Sequence, residues 1–204
     1  MAAAGIEFVL FDLGGVLVDP GGVGKMRELS GIDTDEELWE RWLACRWVRS
    51  FEAGRCSPED FAAGVVGDWS LDLEPAAFLE EFGSWSNDPY PGAVELVTAV
   101  RDAAGVGCLS NTNTVQWHAN YEATPVTDAF ELRFLSFELG MVKPDREIFE
   151  EVAARLPVPP ERVFFLDDNA ANVRGAQASG FVARHVRGVD DARRALASEG
   201  VLAR

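Results

Sequence analysis

The sequence predicts an α/β fold: a Rossmann-like, five-stranded parallel sheet with helices on both faces and an inserted α-helical cap. Three observations indicate this fold. Apolar runs alternate with helical patterns from Gly92 onward, the segment from about Gly21 to Pro89 has helical patterns without a good strand, and 48% of the 204 residues are hydrophobic. A chain of this length and composition can bury a core and still carry an insertion.

The predicted strands are short apolar runs, as expected of strands buried on both faces of a parallel sheet. The first run, IEFVLF, ends directly before Asp12. The other four are VGCLS (106–110), LRFLS (132–136), VFFLD (163–167) and FVARHV (181–186). Between them, apolar residues recur at spacings of three and four, which predicts helices over GAVELVTAVRDAA, DREIFEEVAARL and NAANVRGAQAS.

The insertion contains three amphipathic stretches that predict helices: DEELWERWLACRWVRSF, SPEDFAAGVVGDW and EPAAFLEEFGSW. Ser57 before a proline predicts the start of the second, and Asp33 or Thr34 could cap the first. We therefore expect a core of residues 1–20 and 90–204 and a helical cap of residues 21–89, left through the stiff connector NDPYPG. Aromatic residues at helical spacing predict a small bundle core, although one or two could line a substrate pocket: Trp39, Trp42, Trp47, Phe51 and Phe61.

Composition restricts the partners. The 18 basic and 34 acidic residues give a formal charge of -16, which repels nucleic acid and anionic membranes. The three cysteines are scattered, which favours a reducing compartment over a disulfide framework. Glu7 and Asp12 interrupt the first apolar run, so it resembles neither a secretory signal nor a membrane span. We expect a soluble, cytoplasmic monomer or homodimer without nucleic-acid or membrane partners.

Polar residues follow three of the predicted strands. Asp12 follows the first strand, Ser110 and Asn111 come at the carboxyl end of the second, and Asp167 and Asp168 come at the carboxyl end of the fourth. Ligands bind beyond the carboxyl ends of parallel strands where the strand order reverses, so these side chains share a crevice if the fourth strand neighbours the first. Carboxylates so close repel one another, which favours a bound hard cation such as Mg²⁺.

Lys143 lies in GMVKPDREIF, where Pro144 should open a helix at its first turn. Its ammonium could reach an anion held by the metal. A carboxylate nucleophile, a cation, a lysine and a hydroxyl with backbone N–H donors together make a phosphoryl-transfer site. Each element is common alone, but their order at successive strand ends is hard to obtain by chance.

Four segments in this order resemble the motifs of the haloacid dehalogenase-like hydrolases, most of which are phosphatases. They are FDLGGVLVD (11–19), CLSNTN (108–113), LGMVKPDREIF (139–149) and FLDDNAANVRGA (165–176). The sequences of these motifs resemble most closely the bacterial branch that includes α-D-glucose-1-phosphate phosphatase and is akin to the N-terminal phosphatase domain of soluble epoxide hydrolase. The resemblance covers nearly the whole chain.

The resemblance implies catalytic roles. Asp12 would attack phosphorus to form an aspartyl-phosphate. Ser110 and the backbone amide of Asn111 would hold the phosphoryl oxygens. Lys143 would neutralise charge on the nucleophile and the phosphate, and the cap would close over the site, exclude water and select the leaving group.

The resemblance also implies the metal ligands. Mg²⁺ would be bound by Asp12, by the backbone carbonyl of Gly14 and by Asp168. Asp167 would be either a further metal ligand or a hydrogen-bond acceptor that contacts the ligands without binding the metal. Asn172 falls where many relatives carry another acid, so we expect it to act only through water.

One position departs from the pattern. Phosphatases of this family usually carry a second Asp two residues after the nucleophile, as general acid and base, and here that residue is Gly14. General acid–base help is worth roughly 10² to 10⁴-fold. Asp19 and His118 are possible substitutes. The better interpretation is that Asp19 is a turn residue and His118 a residue on a helix.

Three functions remain open at this point. The leading one is a magnesium-dependent phosphatase of a small phosphorylated metabolite, with a sugar phosphate as the best guess. A hydrolase of carbon–halogen bonds, of the 2-haloacid dehalogenase type, would use the same Asp12, but it needs no cation and so leaves Asp167 and Asp168 unexplained. A weakly active or non-enzymatic binding domain is compatible with the missing acid.

Overall fold

The computed structural model describes residues 5–85, 88–122 and 124–203. Its five strands are β1 (Phe8–Phe11), β2 (Gly105–Ser110), β3 (Leu132–Leu135), β4 (Val163–Asp167) and β5 (Val182–His185). They form one parallel sheet in the order β3-β2-β1-β4-β5. The predicted α/β fold is confirmed, and the strand order reverses at β1, between β2 and β4.

Helices cover both faces of the sheet and fill the insertion. Within the described ranges, no helix is both long enough and apolar enough to cross a membrane. The helices are α1 (Val23–Ser30), α2 (Asp35–Ala44), α3 (Arg46–Glu52), α4 (Pro58–Trp69), α5 (Pro75–Ser84), α6 (Ala93–Arg101), α7 (Thr114–Gln116), α8 (Pro125–Asp128), α9 (Ser136–Leu139), α10 (Arg146–Arg155), α11 (Ala170–Ala178) and α12 (Gly188–Ser198), with a π-helical turn over Trp117–Tyr121 and a 3-10 turn over Pro160–Arg162.

Alternate residues of β1 enter the two apolar layers of the core. Val9 and Phe11 belong to one layer, together with residues of α6 and α12. Phe8 and Leu10 belong to the other, together with residues of α10. Successive side chains of a strand point to opposite faces, so a continuously apolar strand is the pattern that a sheet covered on both sides requires.

The insertion has an apolar cluster of its own, built from α1 to α5. The rings of Phe51 and Phe61 stack with centroids 4.5 Å apart. The first predicted stretch is divided at Cys45, whose extended backbone separates α2 from α3. Helix α1 was not predicted, because Gly22 at its start has no side chain that could signal a cap. Trp39 is the exception among the predicted bundle aromatics, with 37% of its surface exposed.

Helix starts follow the predicted caps in two cases and differ in a third. Ser57 accepts a hydrogen bond from the Asp60 amide at 3.0 Å, and Thr34 accepts one from the Glu37 amide at 3.2 Å. Helix α10, in contrast, begins at Arg146, so the prediction that Pro144 opens it was wrong. Pro144 instead lies inside a turn that the Asp145 amide closes on the Val142 carbonyl at 3.0 Å.

The two connections between the insertion and the sheet run side by side. Val18 forms an antiparallel bridge with Pro89. The Asp19 amide donates to the Asp88 carbonyl and the Tyr90 amide donates to the Leu17 carbonyl, both at 2.9 Å. Asn87 of the predicted connector lies outside the described residues.

Candidate active site

The register of the sheet brings Asp12 and Asp167 together at the carboxyl edge. Phe11 of β1 pairs with Leu166 of β4, and the Asp12 amide donates to the Leu166 carbonyl at 2.8 Å. The next residue on each strand is therefore an aspartate. Asp167 is fully buried and Asp12 keeps 8% of its surface exposed, and the two acids lie at the same sheet edge because β4 neighbours β1.

Asp168 completes a cluster of three carboxylates. One oxygen from each of Asp12, Asp167 and Asp168 lies within 4.8 Å of the others. Burial raises the pKa of Asp12 well above its ordinary value, and Asp167 and Asp168 add to the rise while Lys143 opposes it. Burial and the Asp167 charge likewise raise the pKa of Asp168. A divalent cation removes this repulsion, and oxygen donors are what Mg²⁺ prefers, so the donor set fits magnesium.

Lys143 bridges two of these carboxylates. Its Nζ lies 2.9 Å from Asp12 Oδ2 and 2.6 Å from Asp167 Oδ2, and only 1% of the residue is exposed. Burial alone would lower the pKa of Lys143, but the charges of Asp12 and Asp167 outweigh it and raise the pKa. The side chain therefore stays a cation next to Asp12.

Asn111 fixes the backbone of Lys143, a role that the sequence did not indicate. The Lys143 amide donates to Asn111 Oδ1 at 2.9 Å, and Asn111 Nδ2 donates to the Lys143 carbonyl at 3.1 Å. The loop after β2 thus holds the loop that carries the lysine. The CLSNTN motif implied a role only for the backbone amide of Asn111, and nothing in the sequence signalled this use of its side chain.

The hydrogen-bonding capacity of Asp167 is largely used within the protein. Besides Lys143, it accepts from the Asn169 amide at 2.7 Å and from Asn172 Nδ2 at 3.0 Å to each oxygen. These contacts favour the second of the two roles considered for Asp167, an acceptor behind the metal ligands. Asn172, expected to act through water, bonds Asp167 directly.

Ser110 ends β2 beside β1, and 4% of its surface is exposed. Its hydroxyl lies 3.5 Å from the Asn111 carbonyl, a long contact that leaves the group available for a ligand. Thr112, two residues after Ser110, is fixed by the Ser136 hydroxyl. That hydroxyl accepts a hydrogen bond from the Thr112 amide and donates one to the Thr112 carbonyl, both at 2.9 Å. The loop presents Ser110 at the same sheet edge as Asp12.

Gly15 allows the loop after β1 to pass close to Asp168. Its φ is +71°, and a Cβ at this position would lie 2.1 Å from Asp168 Oδ2. Its amide donates to the Val18 carbonyl at 2.9 Å, and its carbonyl accepts from the Gly188 amide at 2.8 Å. The neighbouring Gly14 is half-buried, and its metal-binding carbonyl stays a prediction.

The proposed substitutes for the missing acid lie outside the charged cluster. His118 is exposed and its Nδ1 lies 2.6 Å from Glu122 Oε2. Asp19 is exposed in the turn that leads to the insertion. Burial raises the pKa of Tyr90, and the charges of Asp19 and Asp168 add to that rise.

Glu52 is an acid that sequence reasoning missed. It is the last residue of α3 in the insertion and is half-buried. Burial raises its pKa from 4.5 to about 7, while Lys143 and Arg49 act in the opposite direction. An acid between Arg49 and Arg55 was a weak signal, because ion pairs on helix surfaces are common.

A family model for haloacid dehalogenase-like hydrolases matches residues 6–180. The chain is 25% identical to the D-ribitol-5-phosphate phosphatase of Bacteroides thetaiotaomicron over 185 residues, 86% of this chain and 89% of that protein. It is 30% identical to (S)-2-haloacid dehalogenase 1 of a Pseudomonas species over 198 residues, 86% of this chain and 82% of that protein.

A solved structure shares the architecture. It is a haloacid dehalogenase family enzyme of Bacteroides thetaiotaomicron in complex with magnesium and inorganic phosphate. The TM-score is 0.68 at 25% sequence identity, and the match covers 90% of this chain and 95% of that chain. The narrower likeness to α-D-glucose-1-phosphate phosphatase stays a prediction.

Proposed function

The chain belongs to the haloacid dehalogenase-like hydrolases, and on that premise we propose that it is a magnesium-dependent phosphomonoester hydrolase acting on a small phosphorylated metabolite. The observation that carries the proposal is the buried Lys143 ammonium between Asp12 and Asp167, beside Asp168. A nucleophile, a cation and a set of metal-binding oxygens at one sheet edge are what phosphoryl transfer needs.

The reaction has two halves. An oxygen of Asp12 attacks phosphorus, the phosphorus–oxygen bond to the leaving group breaks, and an aspartyl-phosphate forms. Water then attacks the same phosphorus, the bond to Asp12 breaks, and phosphate leaves. Lys143 holds Asp12 in position and opposes the charge on the phosphoryl oxygens. The Ser110 hydroxyl and the backbone amide of Asn111 bind those oxygens.

Magnesium would be held by Asp12, Asp168 and the Gly14 carbonyl. When bound, the ion offsets the negative charge of the phosphoryl group. Asp167 would keep Lys143 and Asn172 in place, because its oxygens already accept their hydrogen bonds. The residues of this chain thus divide into a set that meets the cation and a set that orients the lysine.

The insertion, residues 21–89, would act as a cap that selects the leaving group. Its separate apolar cluster supports a unit distinct from the sheet. A sugar phosphate is our best guess for the substrate, and the relative that acts on D-ribitol 5-phosphate supports it. Oligomeric state and cellular location stay predictions.

Phosphate release from a panel of phosphomonoesters, with Mg²⁺ and with a chelator, tests the proposal. The native protein should release phosphate only with the metal, and Asp12→Asn should reduce the rate by about 10⁴-fold or more, as loss of a nucleophile does elsewhere. Asp72→Asn is the matched control, because Asp72 is an exposed acid of the insertion. Activity that survives Asp12→Asn or chelation would contradict the assignment.

Dehalogenation is the second candidate, favoured by the 30% identity to a 2-haloacid dehalogenase. In that reaction Asp12 would attack carbon and expel halide, and the acidic cluster would have no cation to bind. Halide release from 2-haloacids, measured on the same native protein with and without chelator, distinguishes the two. Halide without phosphate would replace the proposed function.

A further inference from the structure

The proposed reaction lacks a proton for the leaving group at the usual place. Gly14, two residues after the nucleophile, presents only backbone atoms. An alkoxide is a poor leaving group unless an acid protonates it as the bond to phosphorus breaks. An acid that serves this step must reach the leaving group from another element.

The end of α3 is attached to the segment that carries Lys143. The Arg49 guanidinium donates to Asp145 Oδ1 at 2.9 Å and to Asp145 Oδ2 at 2.7 Å, two residues after the lysine. The Arg55 guanidinium donates to the Gly140 carbonyl at 2.6 Å, three residues before it. Two contacts from the insertion therefore flank Lys143 along the chain.

Glu52 lies midway between these two contacts, three residues from each arginine. Between it and Arg55 the backbone approaches the core closely: a Cβ on Gly54 would lie 2.5 Å from the Phe137 carbonyl oxygen. The positive charge of Lys143 lowers the pKa of Glu52, against the effect of burial. The end of α3 is thus docked on both sides of Lys143, and it brings Glu52 to the segment whose ammonium contacts Asp12.

Other charged groups on the helices packed against α3 are exposed or engaged. From α4, Asp60 accepts from the Ser57 hydroxyl at 3.0 Å and Asp68 pairs with Arg46 at 3.2 Å. From α2, Arg41 lies over the Trp69 ring at 4.3 Å, and the acids of that helix are exposed. Glu138 of α9 is exposed. The charges that act on Glu52 come from its own helix and from Lys143.

We propose that Glu52 is the general acid and base of the reaction, supplied by the insertion in place of the residue missing at Gly14. As the phosphorus–oxygen ester bond breaks, the Glu52 carboxyl gives its proton to the leaving oxygen, which departs as an alcohol. The Glu52 carboxylate then takes a proton from the water that attacks the aspartyl-phosphate, which restores the acid. The proposal rests on the proposed phosphatase function.

The test compares leaving groups that need a proton to different degrees. The substrates are 4-nitrophenyl phosphate, whose phenolate leaves readily, and D-ribitol 5-phosphate, whose alkoxide does not. Glu52→Gln should lower the rate on the alkyl ester by roughly 10² to 10⁴-fold and on the aryl ester far less. Glu59→Gln, which alters an exposed acid on α4, should leave both rates unchanged.

The pH dependence of kcat/KM gives a second readout, which would not change if Glu52 had only a structural role. The acid form is the proton donor, and burial raises the pKa of Glu52 to about 7. For the alkyl ester, kcat/KM of the native protein should fall as the pH rises through 7, and Glu52→Gln should remove that fall. A ¹³C titration of the Glu52 carboxyl, which needs no turnover, should show protonation in the same range.

Three results would overturn the inference while leaving the phosphatase function intact. One is an equal loss on both esters in Glu52→Gln. Another is a selective loss on the alkyl ester in Asp19→Asn instead. The third is a Glu52 carboxyl that titrates at its ordinary pKa near 4.5. Failure of the native protein to release phosphate from any ester would instead overturn the proposed function, and this inference with it.

Discussion

The charged cluster at the sheet edge and the aromatic cluster of the insertion are stabilised in opposite ways. Asp12, Lys143 and Asp167 are buried charges that depend on named partners at 2.6 to 2.9 Å. The insertion instead packs rings such as Phe51, Phe61 and Phe82, whose centroids lie 4.5 to 6.5 Å apart. A buried ion pair is strongly destabilised when one partner is lost, whereas ring packing is spread over many contacts. The charged cluster therefore holds reactive groups in fixed positions, whereas the aromatic cluster maintains the packed core of the insertion.

Lys143→Met is expected to have the largest effect. It leaves the carboxylates of Asp12 and Asp167 buried without a counter-charge, which should reduce the free energy of unfolding by about 3–5 kcal/mol and abolish activity. Urea unfolding with and without Mg²⁺ measures it, and the metal should restore part of the loss. Lys25→Met is the control, since its pair with Glu28 at 3.1 Å is on the surface and worth about 0–1 kcal/mol.

Phe61→Ala tests the other side of the comparison. Phe61 is 1% exposed and contacts the rings of Trp42, Phe51, Phe78 and Phe82. The free energy of unfolding should fall by about 3–5 kcal/mol, and Mg²⁺ should not offset the loss. Trp39→Ala, at a site with 37% exposure, should change it by less than about 0.5 kcal/mol. A metal-dependent loss in Phe61→Ala would show that the two clusters are energetically coupled.

Gly15→Ala examines the geometry beside the charged cluster. The φ of +71° and the collision of a Cβ with Asp168 should together reduce the free energy of unfolding by about 1–3 kcal/mol. Displacement of Asp168 should also weaken Mg²⁺ binding, which calorimetric titration measures. Gly31→Ala is the matched control, because Gly31 also has a positive φ, +68°, but a Cβ there would meet nothing within 4 Å. Equal metal affinity in both variants would contradict the role given to Asp168.

Glu52→Gln should have the smallest effect on stability of these variants. Glu52 ends α3, the helix of the insertion that docks on the segment carrying Lys143. Because burial raises the pKa of Glu52 from 4.5 to about 7, the native state binds more protons than the unfolded state in that interval. Stability should therefore fall as the pH rises from 4.5 through 7. The variant should show a smaller fall in Tm between pH 5 and 8 than the native protein or Glu59→Gln. An unchanged pH dependence would contradict the burial of this charge.

The sheet and the charged cluster were predictable because local signals agreed with the fold. Each predicted strand was a short apolar run, and the polar residues at the strand ends Asp12, Ser110 and Asp167 meet at one edge because parallel strands share their direction. The lysine was predictable only through its motif.

What the sequence did not predict depends on contacts between distant segments. The hydrogen bonds of Asn111 with Lys143 and the direct bond of Asn172 to Asp167 require coordinates. Glu52 was missed because its proximity to the lysine comes from the docking of α3 on another segment. Pro144 was misjudged because the turn that contains it closes through backbone hydrogen bonds, which residue preferences do not determine.

The charged cluster has a consequence for the order of binding. Three carboxylates and one ammonium give it a formal charge of minus two, inside a chain whose net charge is -16. A phosphate monoester is itself an anion, so this field repels it. A divalent cation held by these residues would offset the local charge. Under the proposed function, Asp12, Asp168 and the Gly14 carbonyl would hold the cation that offsets this charge, so a phosphate ester should bind weakly when magnesium is withheld.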